Sequence, residues 1–445
     1  MNVFAGKTLY RVTSLLLVLA MLWVPAAPGQ DKADKKSEKK DEKKDAAPSA
    51  PLIARCDRND AIYHVGDKAR FLLATTTEGE ATYRLSDDGV GTISEGKVHL
   101  KPGEVYGLTG TLNKPGFLQL RLEQGNNRAF AAAAFDPTKI EPTAKMPVDF
   151  DAFWETGKQE LAAVPIDAQL EKSEKYSTDR ITCYMITLAN VGGKRVHGWL
   201  SVPKGKGPFP AILTLPGAGV SGIGPDTKHA NLGALSMNII IHDLPVNETP
   251  DFYKKQANGP LKNYRDIGMD DKDKNYYRAV ILGCVRCLDY LVSRPDFNGK
   301  DLAVTGGSQG GALTLITSGL DPRVTLAAPA VAAMCDHSGK AFGRISGWPH
   351  WLMRVPEDKA AKVLEASAYY DAVNFARKFK GKSLHSVGFI DTTCAPTTVY
   401  AAYNVLPEPK AMIASPLVGH EIDPRWLKAR VDFFKKNMKL VPPEK

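Results

Sequence analysis

The sequence has 445 residues, six of them cysteine, and a formal net charge of +9. Lys7 and Arg11 account for two of those charges, so the chain beyond residue 30 carries +7. That is mild for this length and does not mark a nucleic-acid binder; a solvated basic face explains it better than attraction to an acidic polysaccharide or cell surface.

Lys7 and Arg11 precede an apolar segment from Leu15 to Val24, and small residues follow at Ala26 and Ala27. This is the pattern of a secretory signal peptide over residues 1–30. Its apolar core is too short for a spanning helix of about 20 residues. The alternative is an uncleaved anchor. No cysteine near the cleavage region indicates a lipoprotein, and no later segment is apolar enough to span a bilayer. The expectation is a secreted or periplasmic protein with no stable membrane insertion after signal cleavage. Residues 31–50, DKADKKSEKKDEKKDAAPSA, hold no aromatic or branched aliphatic residue, so they cannot bury enough surface to order themselves and read as a disordered charged linker. Its opposite charges nearly cancel, which argues against a nucleic-acid arm. The rest exceeds one ordinary core, so two domains are expected.

Residues 51–140 alternate and turn often. ARFLLATT, ATYRLSDDG, KVHLKPGE and GFLQLRLEQGNN are β-type runs separated by Gly, Asp, Asn and Pro, and Leu118, Leu120 and Leu122 show the period-2 pattern of a half-buried strand. A small β-sandwich-like domain with a supporting role is the reading. Residues 141–445 form the second domain. Pro147 opens a helix whose Phe150, Phe153 and Trp154 make one docking stripe. CYMITLAN and RVHGWLSV, joined by Gly-Gly-Lys, suggest a hairpin. From Phe209 onward, apolar strands at 211–215, 238–242, 302–304, 325–328, 384–387 and 412–414 alternate with helices at 274–293, 309–318, 371–378, 397–404 and 424–437. That alternation means a mostly parallel, doubly wound sheet with its chemistry at the carboxyl ends of the strands. Residues 334–369, with Trp348, His350 and Trp351, interrupt it as a cap.

Within Asp301–Gly319, DLAVTGGSQGGALTLITSG, a short apolar run stops at two glycines, Ser308 follows, and a helix begins after two more. Gly306-Gly307-Ser308-Gln309-Gly310 matches the G-x-S-x-G nucleophile elbow of α/β-hydrolases, where glycines permit a turn too tight for side chains. A serine hydroxyl needs a base, and the base needs an orienting carboxylate. In this fold they follow in the order Ser, Asp, His, and the chain offers Asp391 after a strand and His420 in the loop before the last helix. His337, His350 and His385 fit worse as the base, and Glu421 and Asp423 fit worse as the acid. The developing oxyanion needs two donors. One is the backbone amide of Gln309; the other comes from LTLPGAGVSG, where Pro216 cannot donate, Gly217 merely eases the turn, and Ala218 or Gly219 remains. Cys284-x-x-Cys287 invites a metal or redox role, but it lies on a helical pattern with no second ligand pair, so buried thiols are the better reading. The sparse cysteines argue against a disulfide framework, and no metal or other cofactor is implied.

The stretches NYYRAVILGCVRCLDYLVSRPDFNGKDLAVTGGSQGGALTL, YDAVNFARKFKGKSLHSVGFIDTTCAPTTVYAAYN and the final GHE, together with PVDFDAFW near Pro147, resemble the acetyl xylan esterase and cephalosporin-C deacetylase family over roughly residues 147–437. The resemblance implies an α/β-hydrolase that removes acetyl groups from the oxygens of short xylo-oligosaccharides and other small acetylated compounds without a metal. It implies Ser308, Asp391 and His420 as nucleophile, acid and base, and the amides of Ala218 and Gln309 as the oxyanion hole. Where the family usually has His-Gly-Tyr, this chain has Pro216-Gly217-Ala218, which keeps a backbone donor but removes an aromatic wall. The family's ring-shaped hexamer points to a homo-oligomer, against which the added β-domain weighs. A serine peptidase of the same fold and a non-catalytic glycan-binding protein are the competing readings.

Overall fold

The computed structural model describes residues 52–443; the expected signal peptide and the whole of the charged linker lie outside them. The chain opens with strands β1 (Leu52–Cys56), β2 (Ile62–Tyr63), β3 (Ala69–Thr75), β4 (Gly79–Asp87), β5 (Gly91–Leu100), β6 (Tyr106–Gly110), β7 (Gly116–Gln124) and β8 (Asn127–Phe135). They form two sheets, ordered β1-β3-β6 and β2-β8-β7-β4-β5. Leu118, Leu120 and Leu122 point inward along β7 while Arg121 faces out, as their alternation required. Strand β8, NRAFAAAAF, is the surprise, because alanine favours helix. It is a strand because β7 pairs along its whole length and both of its faces are covered from Ala131 to Phe135.

Helix α1 (Phe150–Ala162) then leads into β9 (Gln169–Lys172), β10 (Ile181–Ala189), β11 (Arg195–Pro203) and β12 (Phe209–Leu215). The series continues with α2 (Thr227–Leu232), β13 (Leu235–Ile240), α3 (Pro250–Asn258), α4 (Tyr276–Ser293), β14 (Phe297–Gly307), α5 (Gln309–Leu320) and β15 (Leu326–Ala330). It ends with α6 (Trp351–Arg354), α7 (Glu357–Ser367), α8 (Ala372–Ala376), β16 (Lys382–Gly388), α9 (Pro396–Asn404), β17 (Lys410–Ser415) and α10 (Pro424–Asn437). The strands β9 to β17 make one sheet in the order β17-β16-β15-β14-β12-β13-β11-β10-β9. Its pairings from β13 through β12 to β17 are parallel, and those of β9, β10, β11 and β13 are antiparallel. This is the α/β-hydrolase architecture.

Several boundaries moved for local reasons. Helix α1 starts at Phe150 rather than Pro147, because Asp149 at its N-cap turns away to meet Lys272 and Tyr369. Its aromatic stripe docks as expected: Phe150 packs edge-on to Phe375 at 4.9 Å, and Trp154 Nε1 donates to the Tyr369 carbonyl at 3.1 Å. Strand β13 ends at Ile240, two residues early, as the backbone turns with Leu244 N donating to His242 O. The interruption at 334–369 holds α6 and α7, and Trp348 and Trp351 are buried in it rather than displayed.

The two sheets at the N-terminus rest on the segment that follows β16. Phe117 packs edge-on to Phe389 at 5.1 Å and lies 5.8 Å from Tyr400 on α9. Asn404 at the end of α9 donates to the carbonyls of Pro137 and Ile140. Asp88, fully enclosed with φ 55°, accepts from Thr397 Oγ1 at 2.7 Å, while its Oδ2 finds no partner among the described residues. Burial raises its pKa to about 7 against the lowering effect of Thr397. An acid whose folded pKa lies above its unfolded value of about 3.9 loses stability as pH rises between the two. Asp88→Asn is therefore expected to shift the stability difference in the variant's favour by on the order of a few kcal/mol between pH 4 and pH 8. Urea unfolding at both pH values measures it; a difference that does not change with pH would show that Asp88 is not the titrating group.

Candidate active site

Strand β14 delivers Ser308 to the carboxyl edge of the sheet, at the N-cap of α5, with φ 56° and ψ −121°. That conformation is costly for a residue with a side chain. It is held because Ser308 N donates to Ala330 O at 2.9 Å and Ser308 O accepts from Ala333 N at 3.0 Å. The glycines around it answer to contact. A β-carbon at Gly310 would stand 2.2 Å from Leu215 O, and one at Gly306 would stand 2.6 Å from the carbonyl oxygens of Leu215 and Gly310.

Ser308 makes no cap bond to its own helix; its Oγ lies 2.9 Å from His420 Nε2, and His420 Nδ1 lies 2.8 Å from Asp391 Oδ2. A carboxylate only accepts, so Nδ1 carries the proton and Nε2 is left to accept from the serine hydroxyl. Asp391 is fully buried, and its Oδ1 takes the amides of Thr393 and Cys394, both at 2.8 Å. It thus closes its own turn rather than capping α9, whose N-cap is Ala395. Asp423 caps α10 and is bound by Arg425 and Ser415, away from the histidine. Of the rival histidines, His337 and His385 are enclosed, and burial pushes both down to about 3. His350 bonds the Ser346 carbonyl through Nδ1, and burial lowers its pKa as well.

The loop after β12 carries Ala218 and Gly219, the two candidates for one of the oxyanion donors expected from the sequence. Gly219 N donates to Tyr264 Oη at 3.3 Å, whereas among the described residues no hydrogen bond occupies the amide of Ala218. Gly217 proves dispensable as a glycine: its φ is ordinary, and an added β-carbon would meet only Gly307 O at 3.7 Å. A buried network ties this loop to the elbow. Gln309 Nε2 donates to Gly217 O at 3.3 Å, and Gln309 Oε1 accepts from Tyr264 at 2.8 Å and Tyr277 at 2.9 Å. His242 Nε2 donates to Gly219 O at 2.9 Å, and its Nδ1 accepts from Tyr276 at 2.6 Å. That pairing fixes the neutral tautomer, in keeping with a pKa that burial lowers. A cavity of about 290 Å³, lined in part by His242, Tyr276 and Lys194, lies behind the loop.

The acetyl xylan esterase family model matches residues 138–438. The chain belongs to the acetyl xylan esterase family. It is a carboxylic ester hydrolase, similar to the acetyl esterase Axe7A of Xylanibacter ruminicola at 35% identity over 376 residues, 81% of this chain and 84% of that one. Among solved structures, an acetyl xylan esterase from Paenibacillus sp. R4 superposes with a TM-score of 0.60 at 29% identity, covering 67% of this chain and 98% of its own. Acetyl xylan esterase 1 from Thermoanaerobacterium sp. JW/SL YS485 shares the fold with a TM-score of 0.59 at 23% identity, over 67% of this chain and 97% of its own. The family match begins after β8, so the two N-terminal sheets lie outside it.

Sequence reasoning about this esterase missed His242, Tyr264 and the side chain of Gln309. A signal for the network's other tyrosines was present in Asn275-Tyr276-Tyr277, two aromatic residues opening a helix whose next turns are apolar, but which hydroxyl reaches which acceptor depends on packing across 34 residues for Tyr276 and 32 for Tyr277. All six cysteines are buried and unpaired, and burial raises Cys284 to about 12, as expected for packed thiols. Because Tyr264 is the link between Gly219 and Gln309, Tyr264→Phe should lower kcat for a small aryl acetate by roughly tenfold with little change in KM, as expected for a lost buried hydrogen bond that bears on the transition state. Steady-state kinetics checks this; a kcat within twofold of wild type would mean the loop holds its shape without that hydroxyl.

Proposed function

We propose that this esterase removes O-acetyl groups from acetylated xylo-oligosaccharides or similar small acetylated compounds through a Ser308-His420-Asp391 acyl-enzyme mechanism. The observation that carries the reading is the unbroken hydrogen-bonded chain from buried Asp391 through His420 to Ser308 at a strained elbow. His420 Nε2 takes the proton as Ser308 Oγ attacks the acetyl carbonyl. The oxygen then bears negative charge, which the amides of Gln309, at the first turn of α5, and Ala218 stabilise. Imidazolium, held by Asp391, returns its proton to the departing sugar oxygen. Deacylation repeats the cycle with water in place of the serine. Ala218, standing where the family usually has tyrosine, leaves the acyl side less walled and accommodates groups bulkier than acetyl.

The secreted or periplasmic setting rests on the pattern of residues 1–30. The described residues include no helix long and apolar enough to cross a membrane. We also propose a division into a β-sandwich-like domain over residues 51–140 and a hydrolase domain over residues 141–445; in its support, the last N-terminal strand ends at Phe135 and the first strand of the nine-stranded sheet starts at Gln169.

Acetate release from acetylated xylo-oligosaccharides by the purified protein, beside Ser308→Ala, tests the proposal. Wild type is expected to release acetate and the variant to lose at least about three orders of magnitude in rate. Residual activity of more than about a percent in the variant would remove Ser308 from the nucleophile's role. Cleavage of an aryl acetate without release from the oligosaccharide would keep the triad and reject the substrate.

A further inference from the structure

One nucleophilic side chain at the site has no part in this mechanism. Cys394 lies three residues beyond Asp391, fully buried, with its amide donating to Asp391 Oδ1. Asp391, Cys394 and His420 each present a ligand atom, all within 4.8 Å of one another. Carboxylate oxygen, thiolate sulfur and imidazole nitrogen are the donor set of zinc-type sites, and the Ser308 hydroxyl or a water can supply a fourth ligand.

From these positions we infer that the triad, completed by Cys394, is an inhibitory binding site for a soft divalent cation of the Zn²⁺ class. In a tetrahedral zinc site the metal lies about 2.3 Å from sulfur and about 2.0 Å from nitrogen, which puts ligand atoms about 3.5 Å apart. The most widely separated donors therefore have to close by up to about 1 Å, while Asp391 Oδ2 and His420 Nδ1, 2.8 Å apart, have to open to admit the ion. His420 can supply that movement, since it sits on the loop between β17 and α10 with its side chain 30% exposed. The same exposure gives the ion a way in, with Asp391 and Cys394 forming the floor. As the metal–sulfur bond forms, the thiol proton leaves to solvent. The ion occupies the imidazole nitrogen and carboxylate oxygen that the proton relay needs, so binding stops ester hydrolysis. Hard ions such as Mg²⁺ and Ca²⁺ prefer all-oxygen sites and gain little from this set. Among the described residues this is the one grouping of three such donors, and Cys394 is its only member the mechanism does not use.

The test has two readouts on the purified full chain. Aryl acetate hydrolysis is titrated with ZnCl₂, CdCl₂ and MgCl₂, each protein being normalised to its own rate in chelator. Zinc and cadmium are expected to inhibit, magnesium to have no effect, and chelator to restore the rate. In Cys394→Ala and Cys394→Ser the half-inhibiting zinc concentration should rise at least about tenfold, the order of loss seen when even outer-shell partners of a metal are removed. Separately, CoCl₂ added without substrate should give a sulfur-to-cobalt charge-transfer band in the near ultraviolet in the wild type and in neither variant. Equal zinc inhibition in wild type and a folded Cys394 variant, or cobalt bound to the wild type without the sulfur band, would overturn the inference. The cobalt spectrum involves no ester, so rejection of the xylan substrate would leave this result standing by itself.

Discussion

The close approach of β12 to the start of α5 is the constraint on which the rest depends. Leu215 O leaves no room for a side chain at Gly306 or Gly310, so the backbone can pass from strand to helix within a few residues and must place Ser308 in the positive-φ region. Such strain costs on the order of 1–3 kcal/mol and persists only where neighbours over-determine it. Here β15 supplies that restraint through Ala330 and the turn after it through Ala333. The hydroxyl consequently leaves its own helix and points at His420.

What the elbow presents, the polar network behind it keeps in place. Gln309 is completely buried, and both ends of its amide are bonded to groups that themselves hold the loop after β12. Gly219 is gripped at both its amide and its carbonyl, by Tyr264 and His242. Leaving any of these polar atoms unpaired in the interior would be costly, so the backbone carrying Ala218 has little freedom. A backbone so held suits the oxyanion donor proposed at Ala218, since such donors have to be set before the charge develops.

The acid is braced from a different direction. Phe117 meets Phe389, two residues before Asp391, and Asp88 meets Thr397, six residues after it. The N-terminal sheets thus clasp both ends of the loop that orients the carboxylate. Their contribution reaches the chemistry through packing, since no side chain from β1 to β8 bonds Ser308, His420 or Asp391 among the described residues.

Those features that depend on local chemistry were legible in the chain. Glycine spacing around Ser308, the alternation of apolar strands with amphipathic helices, and the order Ser308, Asp391, His420 follow from backbone sterics and periodicity, which a sequence carries in its own neighbourhood. The extent of β8 was not legible: alanine's helical preference yielded to the sheet that covers it. The network of His242, Tyr264 and Gln309 and the placing of Cys394 beside Asp391 and His420 were not legible either. Each rests on contacts between residues far apart in the chain, and only the folded arrangement decides which donor finds which acceptor.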